Sequence, residues 1–245
     1  MSGKILSIAI TKIGRVLLGT EMCGVLFSDT LGPWQKGFDS GQTIKDIAIA
    51  PNGTIFAAES TGGGGVYRST NEGAQWEKVT QPVSATAIAI DAAVDTILAG
   101  TTTSLLKSTD GGVTWIEINN INLHPVADLV VTPNSYWIAL TQIDLFGSHA
   151  PGVSWIDWCC ASASGLVVPP GPGFTSLVVH PDGSFCGSVF VTSDGNGVLE
   201  MPQCIQNNWS DYSKGLTDKR VLSSALFQNR PILVGTRSGV FREKL

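Results

Sequence analysis

Charged side chains stand at a few positions of this sequence where related segments carry only small or hydroxyl residues. Asp46 and Asp128 each stand at the start of a short apolar segment, at a position that is Ser or Ala in related segments. Glu59 ends an apolar segment whose relatives end in Thr or Ser, and Glu21 and Arg237 each follow such an end by one residue. Polar groups beside apolar strands are costly unless they meet water, a cation or a ligand. We therefore predict that these five residues take part in ligand binding, the ligand being a cation, a sugar or a peptide.

Catalysis would require more than these charges. A glycosidase needs two carboxylates about 5 to 10 Å apart around the scissile bond, and the sequence shows no complete catalytic set. The three histidines, His124, His149 and His180, have no metal-ligand spacing, and no phosphate loop or nucleophile elbow can be recognised. We expect no metal and no cofactor. Glycoside hydrolysis by carboxylates that the sequence does not reveal stays the alternative to binding alone.

A repeat of about 40 residues must position these charges, and tryptophans mark it. The most complete box runs from Ser108 to Trp115 in the pattern Ser-x-Asp-x-Gly-x-Thr-Trp. Three further boxes are related to it but carry substitutions. The aligned acid or amide and the tryptophan of each box are Asp29 with Trp34, Asn71 with Trp76, Asp110 with Trp115, and, where the acid is lost, Trp155 alone.

Each copy of the repeat also contains three short apolar segments separated by turn residues such as Pro51-Asn52-Gly53. Segments of this length, rich in Ile, Val and Leu and bounded by such turns, favour β-strands. There are six copies, and five of them carry a fourth strand that begins at the tryptophan. A four-stranded unit cannot bury both faces alone, so the copies must stack. The sequence predicts an all-β protein, a β-propeller of six four-stranded blades with an incomplete last blade, in a single domain over residues 1–245.

The box from Ser108 to Trp115 resembles the Asp-box, or BNR, repeat of sialidases, xyloglucan-cleaving glycosidases, sortilin-type receptors and photosystem II assembly factors. The resemblance covers the whole chain as an architecture, and it implies a β-propeller. It also implies that the box residues are structural and lie on the outer rim, with Asp29, Asn71 and Asp110 forming turns and the tryptophans packing between sheets. Because so many functions share this repeat, it does not select one of them.

Two of the resembling enzyme classes fit this chain poorly. Sialidases hold their substrate carboxylate with three arginines, one of them in an Arg-Ile-Pro-type motif near the N-terminus, and this sequence has no such motif there. The xyloglucan-cleaving enzymes resemble two propellers facing across a cleft, so a single short propeller would supply half of such a site.

Composition narrows the function further. A net charge of −5 argues against general nucleic-acid binding, which needs a basic surface. No apolar run approaches the roughly 20 residues of a membrane-spanning helix, so we expect no membrane insertion. No secretory signal is recognisable in the sequence. The five cysteines have no metal-like spacing, and a disulfide between Cys186 and Cys204, which fall in one repeat, stays open.

These observations favour a non-catalytic binding or interaction module that presents loops to a glycan or a protein partner. A subunit of a larger assembly would show the same sequence features. The alternative is a glycoside hydrolase of the Asp-box propeller type.

Overall fold

The chain folds into antiparallel β-sheets, each formed by strands that follow one another in sequence. The computed structural model describes residues 4–38, 41–61, 63–80, 83–118, 125–142, 145–150, 152, 154–157, 173–180, 188–201, 210–226 and 232–242. Two compact units make up the chain, Met1–Val126 and Ala127–Leu245. Cys186 and Cys204 lie outside the described residues.

The first unit contains three four-stranded sheets in simple up-and-down order. The first sheet consists of β1 (Ile5–Ile10), β2 (Val16–Thr20), β3 (Val25–Ser28) and β4 (Gln35–Phe38). The second consists of β5 (Ile44–Ile49), β6 (Ile55–Glu59), β7 (Gly65–Ser69) and β8 (Glu77–Lys78). The third consists of β9 (Ala85–Asp91), β10 (Thr96–Thr101), β11 (Leu105–Ser108) and β12 (Ile116–Ile118).

The second unit repeats this arrangement, with β13 starting at its boundary. Its first sheet has β13 (Val126–Val131), β14 (Tyr136–Thr141), β15 (Leu145–His149) and β16 (Trp155–Asp157). The next has β17 (Phe174–His180), β18 (Ser188–Ser193), β19 (Gly197–Met201) and β20 (Ser210–Asp211). Within the described residues the last sheet has three strands, β21 (Val221–Leu226), β22 (Ile232–Thr236) and β23 (Gly239–Arg242).

This succession of sheets confirms the predicted fold class. The protein is an all-β, six-bladed β-propeller whose last blade has three strands in the part of the chain that the structure describes. Each sheet is one blade. No described helix is long and apolar enough to cross a membrane.

Within each unit, hydrophobic cores lie between consecutive sheets, as stacking requires. One core joins Leu17 and Phe27 of the first sheet to Ile44 and Ile55 of the second, and another joins Phe56 of the second sheet to residues of the third. The second strand of each of the first five sheets is buried along most or all of its length. Their continuous Val, Ile, Leu and Ala content is what a strand buried on both faces requires.

Candidate functional site

Asp46 lies on the first strand of the second blade, just after an irregularity in the pairing between β5 and β6. Its Oδ1 atom accepts the backbone N–H of Ile47 at 2.8 Å and the hydroxyl of Ser7 at 3.2 Å, and its Oδ2 atom accepts the N–H of Ile88 at 2.9 Å. Burial raises the pKa of Asp46 above its ordinary value, against the lowering effect of these hydrogen bonds. The carboxylate thus ties β5 to β1 and β9.

Asp128 makes the same kind of link in the second unit. Its Oδ1 accepts the N–H of Leu129 at 2.8 Å, and its Oδ2 accepts the N–H of Leu177, on the next blade, at 2.7 Å. In the first blade the hydroxyl of Ser7 takes this place and accepts the N–H of Ile47 at 3.0 Å. Side chains at this position therefore cap a backbone N–H of the following blade, which is an architectural task. A ligand role for Asp46 and Asp128 stays a prediction.

Glu59 ends β6 and is fully buried, with 0% of its surface exposed. Its Oε1 atom accepts two hydrogen bonds from Thr61, one from the backbone N–H at 3.0 Å and one from the hydroxyl at 2.6 Å. In other blades a threonine hydroxyl at this position donates to a carbonyl of the following loop. These pairs are Thr20 with Gly24 at 2.8 Å, Thr101 with Ser104 at 3.0 Å and Thr236 with Gly239 at 3.1 Å.

Glu21 and Arg237 lie in the loops between second and third strands, as the sequence predicts; Glu21 is half-exposed and Arg237 is exposed. Glu21 forms an ion pair with Lys4 at 3.3 Å, and its backbone N–H donates to the Lys4 carbonyl. Arg237 forms an ion pair with Asp194 at 3.2 Å. Both residues are accessible to a partner.

Sequence reasoning missed a cluster around Arg237, which we call the arginine cluster: Asp194, Asp218, Arg220, Arg237 and Ser238. Both carboxylate oxygens of Asp218 accept hydrogen bonds from the Arg220 guanidinium, at 3.0 and 3.2 Å, and Ser238 donates to one of them. These bonds hold the pKa of Asp218 well below its ordinary value, the one from Arg220 most of all. Asp194 and Arg220 also pair through their backbones. Their places in the repeat could have indicated this cluster, because Arg220 directly precedes the first strand of its blade, β21, and Asp194 directly follows the second strand of the preceding blade, β18.

The hairpin between third and fourth strands of the third blade is closed by Asp110. Its carboxylate accepts the Ser108 hydroxyl at 2.8 Å, the Thr114 hydroxyl at 2.6 Å and the backbone N–H groups of Val113 and Thr114 at about 3 Å. These bonds, led by that of the Thr114 hydroxyl, lower the pKa of Asp110 to about 2. Asn71 accepts the N–H of Gln75 at 2.9 Å in the second blade, so the two hairpins share one design.

The glycine of this hairpin packs against the preceding blade. Gly112 has φ of +82°, and a Cβ atom there would come within 2.6 Å of the Phe56 ring. The indole N–H of Trp115 donates to the Gly112 carbonyl at 3.2 Å, and Arg68 donates to the Gly111 carbonyl at 3.0 Å. Glycine is thus required both by the backbone conformation and by the close approach.

The first hairpin corrects the alignment of Asp29 with the box acids. Ser28 and Gly32 take the serine and glycine roles, since the Ser28 hydroxyl accepts the Gly32 N–H at 2.7 Å. Thr30 occupies the place of the acid, and Asp29 instead pairs with Arg15 at 2.7 Å. The shift arises because this hairpin has one residue fewer between its glycine and its tryptophan than the later copies.

No protein-family model and no curated protein sequence matches the chain. Solved structures do match. An ancestral GH74 enzyme superposes with a TM-score of 0.77 at 16% identity, covering 99% of this chain and 37% of that one. YCF48 bound to the D1 peptide superposes with a TM-score of 0.71 at 13% identity, covering 95% and 75%. A chain of a nidogen/laminin complex superposes with a TM-score of 0.64 at 14% identity, covering 84% and 78%.

These similarities establish the β-propeller fold, and at such low identity they establish nothing finer. The chain spans little more than a third of the GH74 enzyme. Similar structures thus include both an enzyme and chains solved in complex with a peptide or a protein.

Proposed function

We propose that this chain is a non-catalytic binding module that recognises a protein partner through the partner's carboxylate groups. The observation that carries the proposal is the arginine cluster, in which two half-exposed guanidinium groups are each held by a carboxylate of the protein. The side chains of Arg220 and Arg237 are 51% and 57% exposed.

Each guanidinium keeps donors for a partner. Arg220 uses its Nε and one terminal nitrogen on Asp218, and Arg237 uses one terminal nitrogen on Asp194. Within the described part of the chain, nothing accepts from the remaining terminal nitrogen of Arg220 or from the Nε of Arg237. Guanidinium groups with free paired donors suit carboxylates, which they bind through two parallel hydrogen bonds.

The buried partner of Arg220 makes this recognition efficient. Asp218 is 9% exposed and accepts hydrogen bonds from the backbone N–H and guanidinium of Arg220 and from the Ser238 hydroxyl. A side chain already fixed in position loses less conformational entropy when it binds. Asp218 therefore orients Arg220 toward a ligand.

The acids that a hydrolase would need have other tasks in this structure. Asp46 and Asp128 hold backbone N–H groups of neighbouring strands, and Glu59 is buried. This arrangement favours binding over glycoside hydrolysis.

The peptide on YCF48 and the nidogen/laminin complex support a protein partner, and the GH74 similarity supports the hydrolase alternative. We also propose that the hairpins between third and fourth strands are Asp-box turns. A glycan that bears carboxylates would offer the arginine cluster the same carboxylate groups as an acidic protein partner.

The experiment is fluorescence anisotropy with peptides rich in Asp and Glu, beside neutral peptides of equal length. We expect the acidic peptides to bind, with affinity falling as salt is raised. The double variant Arg220→Gln/Arg237→Gln should weaken binding about tenfold or more, as loss of hot-spot arginines does. Lys45→Gln removes an exposed positive charge from β5 and is the matched control.

Two outcomes would contradict the proposal. The first is that the wild-type protein discriminates no acidic peptide from a neutral one. The second is that Lys45→Gln weakens binding as much as the double variant, which would indicate a diffuse charge effect. A glycan array and a set of chromogenic glycosides complete the test, and hydrolysis of any glycoside would favour the alternative function.

A further inference from the structure

Two buried oxygen atoms at the end of the second blade lack hydrogen-bond donors. They are the Oε2 of Glu59 and the Oε1 of Gln42, and neither finds a donor among the described residues. An unsatisfied buried acceptor costs about 1 to 3 kcal/mol, and more when it is charged. An unsatisfied oxygen on each of two residues from the same end of one blade requires an explanation.

Backbone pairing brings the two residues into one loop pair. Ile44 is the strand partner of Glu59, and the Thr43 carbonyl accepts the Ser60 N–H at 3.0 Å just beyond it. The Thr43 N–H in turn donates to the Thr61 hydroxyl at 3.3 Å, and that hydroxyl donates to Glu59. Gln42 directly precedes Thr43, so its side chain belongs to the same end of the blade.

The comparison with other blades shows why this end is rich in acceptors. Thr20 and Thr101 stand where Glu59 stands, and each supplies a hydroxyl that donates to its loop. A carboxylate supplies no donor. Replacing the hydroxyl by Glu59 therefore removes a donor and adds an acceptor at a position without solvent access.

The loop after Glu59 encloses its carboxylate, and no cationic side chain among the described residues forms an ion pair with it. A Cβ atom on Gly64 would lie 3.0 Å from Oε2, so the glycine loop lets the backbone close over this oxygen. Lys78, on β8, donates to the Gly63 carbonyl and lies over the Tyr67 ring. The Glu59 charge reaches Tyr67, whose pKa is raised by burial first and by Glu59 second.

We propose that Glu59 Oε2 and Gln42 Oε1 are ligands of a buried Ca²⁺ ion at this end of the second blade. Carboxylate and amide oxygens are the ligands Ca²⁺ takes, together with backbone carbonyls. Mg²⁺ fits less well because it keeps several waters and demands octahedral geometry. Zinc prefers sulfur and nitrogen ligands. With a single carboxylate the site binds weakly, in the range of about 10⁻⁴ to 10⁻³ M that extracellular modules show.

The test combines calorimetric titration of the full chain with CaCl₂ and thermal unfolding in CaCl₂ or in EGTA. We expect Ca²⁺ to bind the wild-type protein and to raise its Tm, because an ion that binds the folded state alone stabilises it. Glu59→Gln should abolish both effects. It should nevertheless fold, since the amide keeps an oxygen for Thr61 and buries no charge. In EGTA its Tm should equal or exceed that of the wild type.

The controls separate this site from other carboxylates. Glu117→Gln changes an exposed glutamate on β12, and it should bind Ca²⁺ as the wild type does. Gln42→Met keeps the length of the side chain without its oxygen and should weaken Ca²⁺ binding about tenfold or more, one ligand being lost. The proposal is overturned if Ca²⁺ leaves the wild-type Tm unchanged, if Glu59→Gln still binds Ca²⁺, or if Gln42→Met binds it normally.

Discussion

Two kinds of loop in this protein differ in the charged groups that they leave exposed or unsatisfied. In the second and third blades the hairpins between third and fourth strands share one design: serine, an amide or acid, and glycine bond to one another within a few residues, and the tryptophan indole donates to the glycine carbonyl. The loops between second and third strands share a threonine hydroxyl bond in three blades. The second blade instead has Glu59 there, with an unsatisfied oxygen, and the exposed Arg237 follows this position in the last blade. A hairpin design that recurs, with hydrogen bonds made within the hairpin itself, indicates a structural role. Variation that keeps exposed or unsatisfied charge indicates binding.

The largest effect on stability should come from a hairpin. Trp115 packs against the core between the second and third blades and donates to Gly112. Because the indole is partly buried, Trp115→Ala should cost about 3 kcal/mol, near the lower end for removal of a large aromatic. Urea unfolding would measure this cost. Peptide and Ca²⁺ binding by the folded variant should be unchanged, and loss of either would break the division between the two kinds of loop.

A substitution of Asp46 tests whether the acids on the first strands of the blades have a structural role. Asp46→Ala leaves the N–H groups of Ile47 and Ile88 and the Ser7 hydroxyl without their acceptor, so we expect a loss of about 1 to 3 kcal/mol in the free energy of unfolding. Chemical denaturation is the measurement. Unchanged stability together with weakened ligand binding would restore the ligand role that the sequence predicts for Asp46.

Asp110 offers a pH-dependent test of the hairpin design. Its folded-state pKa of about 2 lies below the ordinary 3.8. The carboxylate therefore stabilises the folded state above pH 3.8, and this contribution is lost as the pH falls through 2. Asp110→Asn should lower the Tm slightly at neutral pH, and the difference from wild type should vanish at low pH. A Tm difference that is constant with pH would show that the charge contributes nothing.

The smallest effect on stability should come from Arg237, although its effect on binding should be large. Its ion pair with Asp194 is half-exposed, and such pairs contribute little. Arg237→Gln should change the free energy of unfolding by less than about 0.5 kcal/mol, as surface substitutions do. Thermal unfolding beside peptide anisotropy measures both quantities. A large loss of stability would move Arg237 from the binding residues to the structural ones.

The sequence by itself determined the architecture. Tryptophan spacing and three apolar segments per copy predicted six blades and the incomplete last one, because strand formation and turn chemistry depend on residues close in sequence. It also singled out Glu59, since a carboxylate among threonines at one repeat position is visible without coordinates.

Tertiary structure decided what the charges do. That Asp46 holds the N–H of Ile88 and that Asp128 holds the N–H of Leu177 depends on a neighbouring blade, which no local pattern contains. The pairing of Arg220 with Asp218 beside Arg237 likewise depends on the contact of separate loops. The spacing to the tryptophan aligned Asp29 with the acids of the later boxes. The hydrogen bonds of Ser28 show instead that Thr30 occupies the acid position of the first hairpin. A polar side chain is satisfied by whichever group folding brings near it, and that proximity is a property of the packed chain.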